Sequence, residues 1–172
     1  MVRFPAVALS ILFCSSVVAG SPQRPPPNEL IDYQGFANNV AAVGALRESR
    51  RLTESEFIRM AREPGTVVLD ARSERLYRLR HIEGAVNLSF PEFTAETLAR
   101  MIPSRETRIL IYCNNNFVGA RESMPAKIAP SALNLSTLVS LHAYGYRNVY
   151  ELGPALDVNR SRLAFAGQEA GR

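Results

Sequence analysis

Cysteine is scarce in this 172-residue sequence: Cys14 and Cys113 are the only two. Cys14 lies inside an apolar amino-terminal run, Ala6 to Val18, which leaves the folding portion a single thiol. A disulfide framework is thereby excluded. A basic stripe is missing as well. The formal net charge is +4, but the positive residues are scattered, and Glu48 interrupts the one local concentration at Arg47, Arg50 and Arg51. Without a basic patch or a reading motif, nucleic acid is not an expected partner, and the charge reads as a solvated face. No apolar run is long enough for a comfortable membrane span, and no internal repeat is visible. What is present is a chain of one-domain length, 47% hydrophobic, with material for a substantial core.

The amino terminus reads as a targeting segment. Arg3 gives a positive start, Ala6 to Val18 matches a signal-peptide core, and Val17-Val18-Ala19 offers small residues for cleavage before Gly20. Bulky Leu12 and Phe13 ahead of Cys14 argue against a lipoprotein, and an uncleaved anchor is the alternative. The expected organisation is a signal peptide over 1–19, a proline-rich linker over 20–28, one domain over 29–166 and a polar tail over 167–172. The expected location is exported, periplasmic or secreted, with no stable membrane insertion after cleavage. A lone thiol in such a place flags reactivity or pairing with a partner.

Glu29 to Arg51 has weakly helical spacing. Thr53-Glu54-Ser55-Glu56 matches a capping box opening a helix that Pro64-Gly65 ends. Thr66–Asp70 is β-branched and short, and reads as a strand. Ser73 to Leu79 suggests a helical turn or two; His81 to Leu88 a glycine-containing loop and a short strand; Thr94 to Met101 a helix closed by Pro103. Asn114 to Asn134 holds Gly119, Pro125 and Pro130 and shows no period, so it reads as a functional or mobile loop. Leu135, Leu138, Val139 and His142 share one helix face, with Gly145 as its stop; Val149 to Leu152 is a last strand. Alternating strands and helices predict an α/β fold with a mainly parallel sheet.

The run Arg108-Ile109-Leu110-Ile111-Tyr112-Cys113 is the centre of this pattern. A continuous apolar run suits a strand buried on both faces of a parallel sheet. Asn114-Asn115-Asn116 cannot continue it, so the chain turns there. Cys113 is thus expected at the carboxyl end of a central strand, where open α/β sheets bind ligands. The alternative is a buried cysteine acting as a small hydrophobe. Successive backbone N–H groups of Asn114, Asn115 and Asn116 can face a negatively charged sulfur there. An oxyanionic donor would want a nearby cation, and Arg121 and Lys127 are the nearest in sequence.

Val68-Leu69-Asp70-Ala71-Arg72, His81-Ile82-Glu83-Gly84-Ala85-Val86-Asn87-Leu88, Ile111-Tyr112-Cys113 and Tyr144-Gly145-Tyr146-Arg147-Asn148-Val149-Tyr150-Glu151-Leu152 stand in one order. Together they resemble the rhodanese-like domain across Leu52 to Leu156. The resemblance implies a small doubly wound, mainly parallel sheet flanked by helices. It also implies that Cys113 accepts sulfane sulfur from a small anionic donor and passes it to a thiol or cyanide acceptor, with no cofactor and no metal. Asp70, Arg72 and His81 fall at positions that are structural supports in that family. Tyr112 is expected to pack, and His142 to be a satisfied core histidine. Arg121 stands eight residues after Cys113, and a proline-containing segment intervenes before the next helix. A binding module that uses the same pocket without turnover is the rival reading. A cysteine phosphatase or arsenate-type reductase is a third, opposed by the arginine spacing and the lack of a resolving cysteine.

Overall fold

The computed structural model describes residues 26–170. The expected signal peptide and cleavage site, and the last two residues of the expected tail, lie outside them. Asp32–Arg172 is one compact unit. The described residues before it form only a turn at Asn28, whose side chain accepts from Leu30 N–H at 3.0 Å. No helix among the described residues is long and apolar enough to cross a membrane.

In chain order the strands are β1 (Arg51–Leu52), β2 (Thr66–Asp70), β3 (His81–Ile82), β4 (Val86–Asn87), β5 (Arg108–Tyr112), β6 (Phe117–Val118), β7 (Val149–Leu152), β8 (Leu156–Asp157) and β9 (Phe165–Ala166). The helices are α1 (Tyr33–Arg47), α2 (Glu54–Ala61), α3 (Glu74–Leu79), α4 (Ala95–Met101) and α5 (Leu133–Ala143). Five strands make the central sheet in the order β1-β7-β5-β2-β4, every pair parallel. The cysteine-bearing β5 is therefore central, with β2 and β7 as its neighbours. This is the expected α/β architecture.

Period-2 alternation divides the core in two. Leu69, Ile109, Ile111 and Val149 meet Val43 of α1, Leu98 of α4 and Leu138, Val139 and Leu141 of α5 on one face. Val68, Leu110, Tyr112 and Leu152 meet Phe57 and Met60 of α2 on the other. Both faces being covered explains why these strands read as unbroken apolar runs.

Local signals fix the helix ends. Thr53 and Glu56 form the expected capping box, Thr53 N donating to Glu56 Oε2 at 2.8 Å and Glu56 N to Thr53 Oγ1 at 3.3 Å. At the end of α5, Gly145 takes φ +88°. Gly145 N donates to His142 O and Tyr146 N to Leu141 O, each at 2.9 Å, a Schellman ending that needs the left-handed residue.

Two segments are more ordered than their sequences suggest. The stretch after Asn114 was expected to be a loop without anchors. It forms β6, which pairs with β8, and it buries Ser123 and Met124. The carboxyl-terminal stretch is the second: β9 pairs antiparallel with β3. Beyond it, Gln168 N and Glu169 N donate to the carbonyls of Arg78 and Leu79 at 3.0 and 2.9 Å. Two-residue strands and side-chain anchors leave no period to read.

Candidate active site

Cys113 follows the last residue of β5, at the carboxyl edge of the sheet. It opens a single 3₁₀ turn, Asn114–Asn116, and its carbonyl accepts Asn116 N–H at 3.1 Å. In return, Asn116 Oδ1 accepts Cys113 N–H at 2.9 Å. Cys113 lies outside both apolar clusters, yet it is only 2% exposed. The turn thus begins on a cysteine that is covered from solvent.

The sheet register lines up the supports of this turn. Asp70 stands opposite Tyr112 on β5 and opposite Asn87 on β4. Asp70 and Arg72, the expected structural pair, are fully buried and meet at 2.6 Å between Oδ2 and Nη2. Arg72 Nε also donates to Asp70 Oδ1 at 2.9 Å, which makes the pair bidentate. The remaining guanidinium hydrogens reach the cysteine's loop. Nη2 donates to Arg80 O at 2.7 Å, and Nη1 to Ser123 O at 2.9 Å and Asn114 Oδ1 at 3.3 Å. Burial disfavours the charged guanidinium, but the hydrogen bonds and charge of Asp70 prevail and hold it more firmly protonated than usual.

Tyr112 does more than pack. Its hydroxyl donates to Asp70 Oδ2 at 2.6 Å and accepts Ile82 N–H at 3.1 Å. Burial, and then the Asp70 carboxylate, push its phenol well above the ordinary range, so it stays a neutral donor. Asn87 Nδ2 donates to the carbonyls of Asp70 and Arg72 at 2.8 and 3.0 Å. The backbone on both sides of Cys113 is therefore tied to one carboxylate–guanidinium pair.

The three asparagines have separate tasks. Asn114 is held by Arg72. Asn115 pairs with the backbone of Lys127, Nδ2 to Lys127 O at 2.7 Å and Lys127 N to Oδ1 at 3.1 Å. Asn116 Nδ2 donates to Leu152 O at 2.7 Å and Pro154 O at 3.2 Å, and its Oδ1 also accepts Asn134 Nδ2 at 3.1 Å. Turning that amide over would set donor against donor and acceptor against acceptor, so its orientation is determined. The side chains of Asn114 and Asn116 are committed to the fold, and so is Asn116 N–H, which Cys113 O accepts.

Arg121 and Lys127 are both exposed. Arg121 lines an open hollow with Phe117, Met124 and Pro125, and Lys127 is fixed at its backbone by Asn115. His81 lies at the opposite end of the Arg72 network: its ring stacks on Tyr77 at 3.8 Å, and Nδ1 is 2.8 Å from Tyr77 O. His81 thus opens β3 and is tied back to the end of α3. His142 is half-buried on α5; burial, and then the Arg147 charge, hold its imidazole below the usual range. Tyr112's hydroxyl contacts, Asn134 and Glu151 escaped the sequence reading. A polar residue in an apolar strand, Glu151 between Tyr150 and Leu152, is the signal that points to the last of them.

A family model for the rhodanese-like domain matches residues 53–153. No curated protein matches the chain. Among solved structures, the chain is similar to the BH2092 protein from Bacillus halodurans, with 21% identity, TM-score 0.51, and coverage of 77% of this chain and 88% of that one. It is also similar to the rhodanese-like domain of the Alr3790 protein from Anabaena sp., with 17% identity, TM-score 0.48, and coverage of 72% and 83%. A rhodanese with anions from E. coli shows 20% identity, TM-score 0.39, and coverage of 59% and 98%. The family match spans more than half of the chain, over β2, β4, β5 and β7 of the parallel sheet and the cysteine turn just described: the protein belongs to the rhodanese-like domain family.

Proposed function

We propose that this protein transfers sulfane sulfur through a persulfide on Cys113. The observation that carries the reading is the place of Cys113, the free cysteine among the described residues, directly after β5 at the carboxyl edge of a parallel sheet, where such sheets bind ligands. The thiolate, not the thiol, is the nucleophile in such a transfer. With thiosulfate as donor, the thiolate attacks the outer sulfur, the S–S bond of thiosulfate breaks, and sulfite leaves with the bonding pair. Cysteine persulfide remains, and cyanide or a thiolate removes its terminal sulfur to regenerate the Cys113 thiolate. No electrons are gained or lost overall, so neither metal nor redox cofactor is required by the balance. Arg121 and Lys127, exposed on the segment after the turn, would draw in the anionic donor. We place the protein outside the cytoplasm, in the periplasm or secreted, on the strength of the amino-terminal run.

Cys113 is 2% exposed, so a donor reaches it only when the covering segment opens. That burial favours one rival, a module that binds at this edge without turnover. Two measurements on the purified protein separate them: mass spectrometry after thiosulfate, and thiosulfate-to-cyanide turnover beside a Cys113→Ser control. Addition of one sulfur atom at Cys113 with turnover that vanishes in the serine variant supports transfer. Turnover that survives the substitution, or a thiol that alkylates but never loads sulfur, overturns it.

A further inference from the structure

Behind the cysteine turn, buried polar side chains form a line that sulfur transfer does not itself use. Glu151 on β7 is 1% exposed, and Asn134 and Asn116 are buried too. Arg47 Nε, in the last turn of α1, lies 2.6 Å from Glu151 Oε1. Glu151 Oε2 accepts Asn134 Nδ2 at 3.2 Å. The same nitrogen donates to Asn116 Oδ1 at 3.1 Å, the oxygen that also accepts Cys113 N–H at 2.9 Å. Asn134 Oδ1 has no partner among the described residues. That amide is therefore held by its two acceptors alone, Glu151 and Asn116.

Each link limits the next. A carboxylate this deeply buried is costly unless paired, and Arg47 is its ion-pair partner among the described residues. A fixed Glu151 fixes Asn134, and both amide hydrogens of Asn134 are then committed. Asn116 Oδ1 is thereby held where Cys113 N–H meets it. Helix α1 lies before residue 53, outside the span that the family model matches. We infer that Arg47, Glu151 and Asn134 are positioning residues: a buried latch, anchored on α1, that keeps the turn over Cys113 closed. The inference rests on the reading of Cys113 as the reacting residue.

The test is the alkylation rate of Cys113 by iodoacetamide in the full chain, which needs no sulfur transfer. Glu151→Leu removes the acceptor and should speed alkylation roughly fivefold or more, the factor that one lost hydrogen bond gives. Glu151→Gln keeps an acceptor for Asn134 and should stay within about twofold of the parent. A little urea should leave the enhanced rate unchanged, because a local opening exposes little new surface. Leu98→Ala, a core change on α4, serves as a control that lowers the melting temperature without touching the line. If Glu151→Leu does not fold, Asn134→Ala carries the same expectation. The latch is overturned if the folded variants alkylate at the parent rate, or no faster than Leu98→Ala at matched stability, or only in step with urea. A parent protein that never loads sulfur overturns the proposed chemistry and leaves this measurement readable.

Discussion

Arg72 Nη2 donates to Asp70 Oδ2 at 2.6 Å with both side chains shut off from solvent. The same guanidinium hydrogen-bonds carbonyls at Arg80 and Ser123. One arginine therefore joins the first strand-end motif, the loop after α3 and the segment that follows the cysteine. Replacing it by Met should destabilise the protein by about 3–5 kcal/mol, because Asp70 is left as a buried, unpaired charge. Arg72→Lys should recover only a small part, since an ammonium lacks the fork geometry. Urea unfolding measures both, and a loss confined to tenths of a kcal/mol for Met would contradict the pairing.

Tyr112→Phe keeps the ring in place but strips the hydroxyl that links Asp70 to Ile82 N–H. A buried N–H without a partner costs about 1–3 kcal/mol. The expected outcome is a lower melting temperature with the same urea dependence, read by circular dichroism. A neutral effect would show that the ring alone matters.

Glu54 ties the start of α2 to the carboxyl-terminal segment. Ser161 Oγ donates to its Oε1 at 2.7 Å, and Arg162 N does so at the same distance. The Ser161 hydroxyl, opposed by some burial, and then Arg162 hold its carboxyl below the usual range. A depressed folded value means that the stabilisation is present above the ordinary glutamate pKa and is lost as pH falls through the folded one. Glu54→Gln should therefore be less stable than the parent at about pH 6, and the gap should close as pH drops toward about 3. A gap that is constant with pH would remove the carboxylate from the account.

Cleavage by trypsin should fall after Lys127 before it falls after Arg121. Ser123 and Met124, just beyond Arg121, are buried, whereas Ile128, just beyond Lys127, is 75% exposed. Asn115→Ala frees the Lys127 backbone and should hasten that cut. First cleavage after Arg121 would mean that the Ser123 anchor is weak.

Arg121→Ala should weaken the binding of an anionic sulfur donor and leave alkylation of Cys113 unchanged. The effect should fade as salt rises, because exposed charges are screened over about 10 Å at 0.1 M. Equal loss in low and high salt would argue for a packing role instead.

The strands that position the cysteine were legible because both faces of the sheet are covered. Val67 to Leu69 and Ile109 to Tyr112 could hardly be anything else. The capping box at Thr53 and the stop at Gly145 are local devices with local signals. The site's supports are another matter. Arg72 finds Ser123 and Asn134 finds Glu151 only through the tertiary fold, and no spacing announces a partner so far along the chain. The segment after Asn114 lacked a period for the same reason: it is held by bonds between side chains and backbone and by two isolated anchors, Phe117 and Met124, at no regular spacing. Tyr112's hydroxyl contacts were hidden by a ring that suits a core equally well.

The edge strand β1 pairs only with β7, Arg51 opposite Glu151, and the cysteine turn hangs on Leu152 O through Asn116. A chain growing from the ribosome cannot close either contact until Leu152 has been made. The roughly forty further residues beyond Cys113 take a few seconds to add at ~5–20 residues per second. Until both contacts close, the turn over the thiol lacks these ties, and the thiol is open to oxidants or to chance disulfide exchange. The covering that the finished protein gives its cysteine is thus also a clock, started late by a parallel sheet that joins its first strand to its last.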